Sequence, residues 1–141
     1  MSEETWGWSD RLSVSYAPMD ETHQEFVELC AALSEDNPAT FLQRLDALID
    51  HSVIHFEQEN RWMEETNFPP VGCHRQEHDA VLEVMREVRR RIEAGDTDLA
   101  PRLAEELPHW FEHHVDTMDN MLARFMASQT VASADTEAVS V

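Results

Sequence analysis

The sequence predicts an all-α fold, an up-down-up-down antiparallel four-helix bundle with an extended N-terminal arm. Three observations carry this. Four segments space their apolar residues in alternating steps of three and four, the mark of a helix with one buried face. Only three Gly and one Tyr occur in 141 residues, and no alternating apolar run marks a strand. The connections between the four segments are short, which lays consecutive helices side by side and antiparallel. A chain of 141 residues buries a single core without staples, so residues 1–127 read as one domain. Residues 128–141, rich in Ala, Ser and Thr and without periodicity, read as a disordered tail.

The elements follow in order. Residues 1–19 form the arm, with Trp6, Trp8, Leu12, Val14 and Tyr16 as anchors. Pro18 precedes a first helix over roughly 20–35, whose inward series is Met19, His23, Phe26, Cys30, Leu33. Asn37-Pro38 reads as an N-cap followed by proline at the first helical position, opening a second helix over roughly 38–66. Its stripe is Phe41, Leu45, Leu48, Ser52, His55, Glu59, Trp62, and Asn67-Phe68-Pro69-Pro70 ends it. The third helix carries Val71, His74, His78, Val81, Met85, Val88 and Ile92 inward and stops at Gly95. Asp96 to Asp98 lead into the fourth, which carries Leu103, Leu107, Trp110 with Phe111, His114, Met118, Met121 and Phe125 and ends near Ala127. Pro108 lies inside it, so the helix kinks there or a separate short helix precedes a fresh stretch beginning just before Trp110.

Composition narrows the function. A net charge of −19 argues against nucleic acid and against anionic membrane surfaces, and reads as solvated helix faces; it favours a monomer. No apolar run approaches a membrane span. The acidic start, Met1 to Trp6, lacks a signal-peptide core, which points to the cytoplasm. Cys30 falls on the first stripe as a small buried hydrophobe. Cys73 points about 100° away from the neighbouring His74 and reads as a structural free thiol. No C-x-x-C occurs, so a zinc ribbon is excluded.

What interrupts the stripes is informative. His23, the pair His55-x-x-x-Glu59, the pair His74-x-x-x-His78, and His114 with Asp119 lie on or beside the four apolar faces. An unpartnered buried polar group costs roughly 2–7 kcal/mol and an ion more, so seven of them at one core call for a metal cluster that binds them all. Residues four apart on a helix share a face and can share a metal. One such pair arises by chance; two pairs on adjacent helices, with further ligands on the other two, do not. His109 and His113 are also four apart, but their face continues through Asp116 and Asn120 and is polar throughout, so they read as solvated. His51 lies one turn before His55, with Arg44 and Gln58 on its side, and reads as exposed or as a neighbour of the ligands. His114 and Asp119 are five apart, about 140° on an ideal helix, and reach one cluster if the aspartate bridges or a π-bulge narrows the angle.

The order His, HxxxE, HxxxH, HxxxxD, with a tryptophan four before the last histidine, resembles the hemerythrins, most closely the single-domain bacterial proteins. The matching stretches are Trp8 to Val14, Met19 to His23, His55 to Glu59, His74 to His78, and Trp110 to Asp119. The resemblance implies a bundle around two non-haem iron ions, bridged by carboxylates and an oxo or hydroxo group. His74, His78 and His114 would hold one iron, His23 and His55 the other, with Glu59 and Asp119 bridging. It implies dioxygen as the partner, bound reversibly at a position left open on the iron with fewer histidines, for storage, delivery or sensing, and no enzymatic turnover. Trp110, Phe111 and Phe56 are the candidate lining of the oxygen pocket, with Trp62 and Met118 beside them. Phe111 stands where the family often has leucine; its larger ring either narrows the pocket, slowing oxygen entry and autoxidation by excluding water, or simply repacks against Met118 or Trp62. Asn60 stands where a second glutamate often follows the bridging one, with no effect expected on the metals. The competing readings are an oxidoreductase turning over peroxide or nitric oxide at the same irons, a redox- or iron-responsive regulatory module, and a ferritin-like oxidase, which is disfavoured because that class needs a pair of E-x-x-H motifs and only Glu106-x-x-His109, on the polar face, occurs here.

Overall fold

The computed structural model describes residues 6–35 and 37–139, with side chains through residue 129. Helices α1 (Ala17–Ala32), α2 (Phe41–Glu65) and α3 (Val71–Glu93) are followed by a fourth length of helix built from α4 (Leu99–His114), a π-helical turn (Val115–Asp119) and α5 (Asn120–Val139). Each helix packs on the next, and α4 returns against α1, which closes a four-helix bundle. No strand occurs among the described residues. The core runs down the middle through Met19, Phe26, Leu45, Leu48, Met63, Met85 and Leu122, all fully buried.

The helix ends explain themselves in residue chemistry. α1 starts at Ala17, ahead of the expected boundary, with Pro18 inside its first turn, where a missing N–H costs nothing. The Asp20 carboxylate accepts from the Ser13 hydroxyl (2.7 Å) and the Val14 amide (2.8 Å), tying the arm to that turn. Asn37 stands at an N-cap, but its side chain makes no cap bond, and a short 3-10 turn (Pro38–Thr40) leads into α2. The Arg44 guanidinium donates to the carbonyls of Ala32 and Asn37, both at 2.6 Å, and so closes the end of α1. α2 ends with Asn67 at φ 55°, its amide returning to Glu64 and that of Phe68 to Met63; α3 ends with Gly95 at φ 110°, with the same bonds to Ile92 and Arg91. Both are left-handed caps of the Schellman type, which glycine adopts freely and asparagine tolerates.

Three expectations need correction. α4 runs unbroken through Pro108, so no separate short helix precedes Trp110; proline removes one donor from the ladder without ending it. The last helix continues to Val139 and does not stop near Ala127, although Met126 is its last buried residue among those described. The inward face of the last helix also changes after His114. Met121 is 53% exposed and Met118 and Phe125 only part-buried, whereas Val115, Asp119, Leu122, Ala123 and Met126 face the core. A π-turn bonds i to i+5 and takes in one residue more than an α-turn, so the buried stripe moves one position along. The first five residues of the arm and the last two of the tail lie outside the described residues.

Candidate metal centre

His23 comes from α1, His55 and Glu59 from α2, His74 and His78 from α3, His114 from the end of α4 and Asp119 from the end of the π-turn. None of the seven is more than 3% exposed. The two carboxylates lie between two sets of imidazoles. Glu59 Oε2 faces His23 Nε2 at 3.3 Å and His55 Nε2 at 2.8 Å, while its Oε1 faces His74 Nε2 at 3.4 Å and His78 Nε2 at 3.1 Å. Asp119 repeats the division: Oδ2 faces His23 at 3.3 Å, and Oδ1 faces His74 at 3.1 Å and His114 at 3.2 Å. Every imidazole presents Nε2. The arrangement is three imidazoles on one side, two on the other, and two carboxylates spanning both.

The sequence places Asp119 too far round an ideal helix from His114, and the π-turn removes the difficulty: residues five apart stack where bonds run i to i+5. The Thr117 hydroxyl donates to the His113 carbonyl at 2.7 Å within this turn, giving that carbonyl a donor where the ladder changes pitch.

Two further residues support the set from behind: Glu77, which the sequence reading passed over, and Asn60, for which no effect was expected. Glu77 Oε1 accepts from His114 Nδ1 at 2.7 Å, and Asn60 Oδ1 accepts from His78 Nδ1 at 3.0 Å. Each bond fixes a tautomer that leaves Nε2 free as a ligand atom. Asn60 therefore does bear on the centre. Both partners could have been sought in the sequence, since each lies one residue from a ligand, Asn60 after Glu59 and Glu77 before His78.

Burial drives the imidazoles of His23, His74 and His114 toward the neutral form, but the carboxylates outweigh it: all three pKa values are raised, that of His74 to about 9, chiefly by Asp119. For His78 burial wins, and its value is lowered. Burial would raise Glu59 and Asp119, yet the surrounding imidazoles hold both well below the usual carboxylate range. Both carboxylates are thus anionic and ready to ligate. Even so, Glu59 Oε1, both Asp119 oxygens and the Nε2 atoms of His74, His78 and His114 are buried with no hydrogen-bond partner. Orphaned polar atoms converging on one point are costly unless a cation satisfies them.

The model of the hemerythrin HHE cation binding domain matches residues 14–126. The chain belongs to the hemerythrin family. It is 47% identical over 122 residues to a bacteriohemerythrin of Ralstonia nicotianae, covering 86% of this chain and 89% of that protein. A bacteriohemerythrin of Stenotrophomonas maltophilia is 26% identical over 120 residues, covering 82% and 78%. Among solved structures, a wild-type hemerythrin superposes with a TM-score of 0.70 at 21% identity, covering 88% of this chain and 95% of that one, which speaks for the fold.

Around the hemerythrin centre, aromatic rings make the wall. Phe56 stacks on His78 at 4.1 Å and 4°, Trp110 stacks on His114 at 4.7 Å and 12°, and Phe56 also meets His55 at 5.1 Å. Phe111 stands edge-on to His23 at 5.3 Å, stacks on Phe26 at 4.6 Å and takes the edge of Trp6 at 6.3 Å. Trp62 meets Tyr16 edge-on at 6.1 Å. The Trp6 indole and Arg11 both donate to Glu112 Oε1, which holds the arm over this end of α4. His109 and His113 are exposed, as their polar face requires. His51 lies beside Phe26 and His55 and faces Glu25 at 3.5 Å; Arg44, expected beside it, is occupied at the end of α1.

Proposed function

We propose that this hemerythrin-family centre holds two iron ions and binds dioxygen reversibly, for storage, delivery or sensing. The observation that carries the reading is the division of the carboxylates, each with one oxygen on the side of His74, His78 and His114 and the other on the side of His23 and His55. His74, His78 and His114 would hold one iron and His23 and His55 the other, with Glu59 and Asp119 shared. Imidazole suits several transition metals, and carboxylate bridges favour iron and manganese. The iron pair, when bound, supplies electrons that dioxygen takes up and returns. The ligand-poor side is the one with two histidines, so the exchangeable position belongs there.

The protein's own contribution is positioning and dryness. Glu77 and Asn60 orient His114 and His78. Phe111 closes the two-histidine side with Phe26 and Trp6, while Phe56 and Trp110 cover the three-histidine side. Excluding water keeps protons from a bound diatomic and so favours release over reduction. Tyr16, the one tyrosine, sits against Trp62, and burial pushes the Cys30 thiol up to about 12, so neither is a ready proton donor.

The test is iron content per chain together with the visible spectrum as buffer is cycled between deoxygenated and aerated. About two irons per chain, as the ligand set requires, with colour that appears on aeration and fades reversibly, is the expected result. Rapid irreversible oxidation would replace the reading by an oxidoreductase or a reporter of oxidation state, and no iron would overturn the cluster.

A further inference from the structure

We propose a second metal site, for one soft monovalent ion of the Cu(I) class, in a sulfur-lined cavity between the first turn of α3 and the π-turn. This cavity of about 120 Å³ opens to the surface and is bounded by Cys73, Met118, Met121, Phe68, Pro70 and His74. Three of these carry sulfur. Cys73 is a free, exposed thiol. Met121 is 53% exposed, so burial does not account for a long apolar side chain there. The shift of register at the π-turn is what places both methionines here: an uninterrupted α-helix would turn them to the core, and the extra residue rotates them out toward Cys73.

A second observation points to an occupant. The cavity's inner wall includes His74, which is 1% exposed and whose Nδ1 is buried without a hydrogen-bond partner. It is Nε2 that faces Glu59 and Asp119, so Nδ1 is the ring nitrogen those carboxylates leave without a partner, in a residue that shares this cavity's wall with the three sulfur side chains.

Charge and softness select the ion. Thiolate and thioether donors prefer Cu(I) over hard divalent ions, and methionine sulfur is polarizable and uncharged. Binding forms an Sγ–metal bond at Cys73, sends the thiol proton to solvent, adds thioether bonds from Met118 and Met121, and changes no oxidation state. One monovalent cation on one thiolate is neutral overall, which suits apolar walls; a divalent ion would leave an uncompensated charge there. The net charge of −19 raises the local concentration of any cation. The site stands apart from the dioxygen reading and is tested without it.

The experiment titrates the iron-loaded, reduced full chain anaerobically against the Cu(I)–bicinchoninate complex, with iron measured throughout. Expected is the withdrawal of one Cu(I) per chain with iron retained, and no displacement by excess Zn(II). Cys73→Ser should weaken binding at least about tenfold, as should the double change Met118→Leu with Met121→Leu, the range in which loss of metal-supporting groups is felt. Alkylating Cys73 with iodoacetamide in the unmutated protein should abolish uptake, since Cys30 is buried, and this holds even if a variant folds poorly. A probe complex left intact, copper that enters by expelling iron, or equal uptake after alkylation would each overturn the proposal.

Discussion

Removing Glu77 isolates one hydrogen bond from the metal it serves. Its carboxylate accepts from His114 Nδ1 at 2.7 Å, and its side chain is 25% exposed against 1% for the histidine. In Glu77→Ala the buried Nδ1–H has no acceptor, so both the tautomer and the ring orientation are released. Outer partners of this kind are worth about 10–100-fold in metal affinity, which is about 1.4–2.7 kcal/mol. With metal saturating, that loss appears in full as lost stability of the loaded protein. For a chain of this size it corresponds to roughly 4–10 °C in Tm. Glu77→Gln keeps an acceptor but not the charge and should fall nearer the low end. The assay is a pair of thermal melts for each variant, metal-loaded and metal-free, with metal content measured after dialysis against a chelator. The loaded protein should lose roughly 4–10 °C more than the metal-free protein. Equal losses in the two forms would refute the assignment, because a merely structural bond is blind to the metal.

Other outcomes follow from the same geometry. Replacing His74 or His78 by Ala should lower iron content and the loaded Tm together, since binding and folding are coupled; His109→Ala and His113→Ala should leave both unchanged, and iron lost in these exposed positions would mean the wrong face was chosen. Phe111→Leu should open space beside His23, speed irreversible oxidation of the iron-loaded protein, and cost about 1–2 kcal/mol through lost contact with Phe26 and Trp6; an unchanged oxidation rate in stopped-flow would remove Phe111 from the wall. The metal-free protein should lose stability as pH rises from about 6.5 to about 9. The folded pKa values of His23, His74 and His114 are raised, so their pairing with the carboxylates is fully present below 6.5 and is lost as pH climbs through them, with His74 last at about 9. Urea midpoints across that window read it directly, and a flat profile would count against charged imidazoles in the empty centre.

The stripes were legible because burial is periodic. His23, His55, Glu59, His74, His78 and His114 each replace an apolar residue at a step of three or four, and each of these positions is buried in the structure. The polar face of His109 and His113 was readable by the same rule. Asn60 and Glu77 were not, because an outer partner reaches its histidine from a neighbouring helix and leaves no period along its own. His114 is met by a carboxylate 37 residues earlier, and His78 by an amide 18 earlier. Two neighbours of Phe111 went unforeseen for a related reason: Trp6 and Phe26 lie on the arm and on α1, and no spacing within the fourth helix announces them.

The π-turn is where local rule and site requirement conflict, and the sequence does record the conflict. Read with a single step of five, the inward series of the fourth helix becomes Leu107, Phe111, His114, Asp119, Leu122, Met126, all buried. Read without it, Met118 and Met121 take the core and Asp119 falls on the shoulder. Apolar periodicity alone slightly prefers the second reading, because methionine is a better core residue than aspartate. Only the demand that Asp119 meet His114, His74 and His23 at once selects the first. A π-turn forgoes good backbone geometry over one turn, and here the return is a carboxylate with one oxygen on each side of the centre. The turn thus does two things with one extra residue: it brings a carboxylate between the two sets of imidazoles, and it turns two methionines out to the cavity that Cys73 also lines.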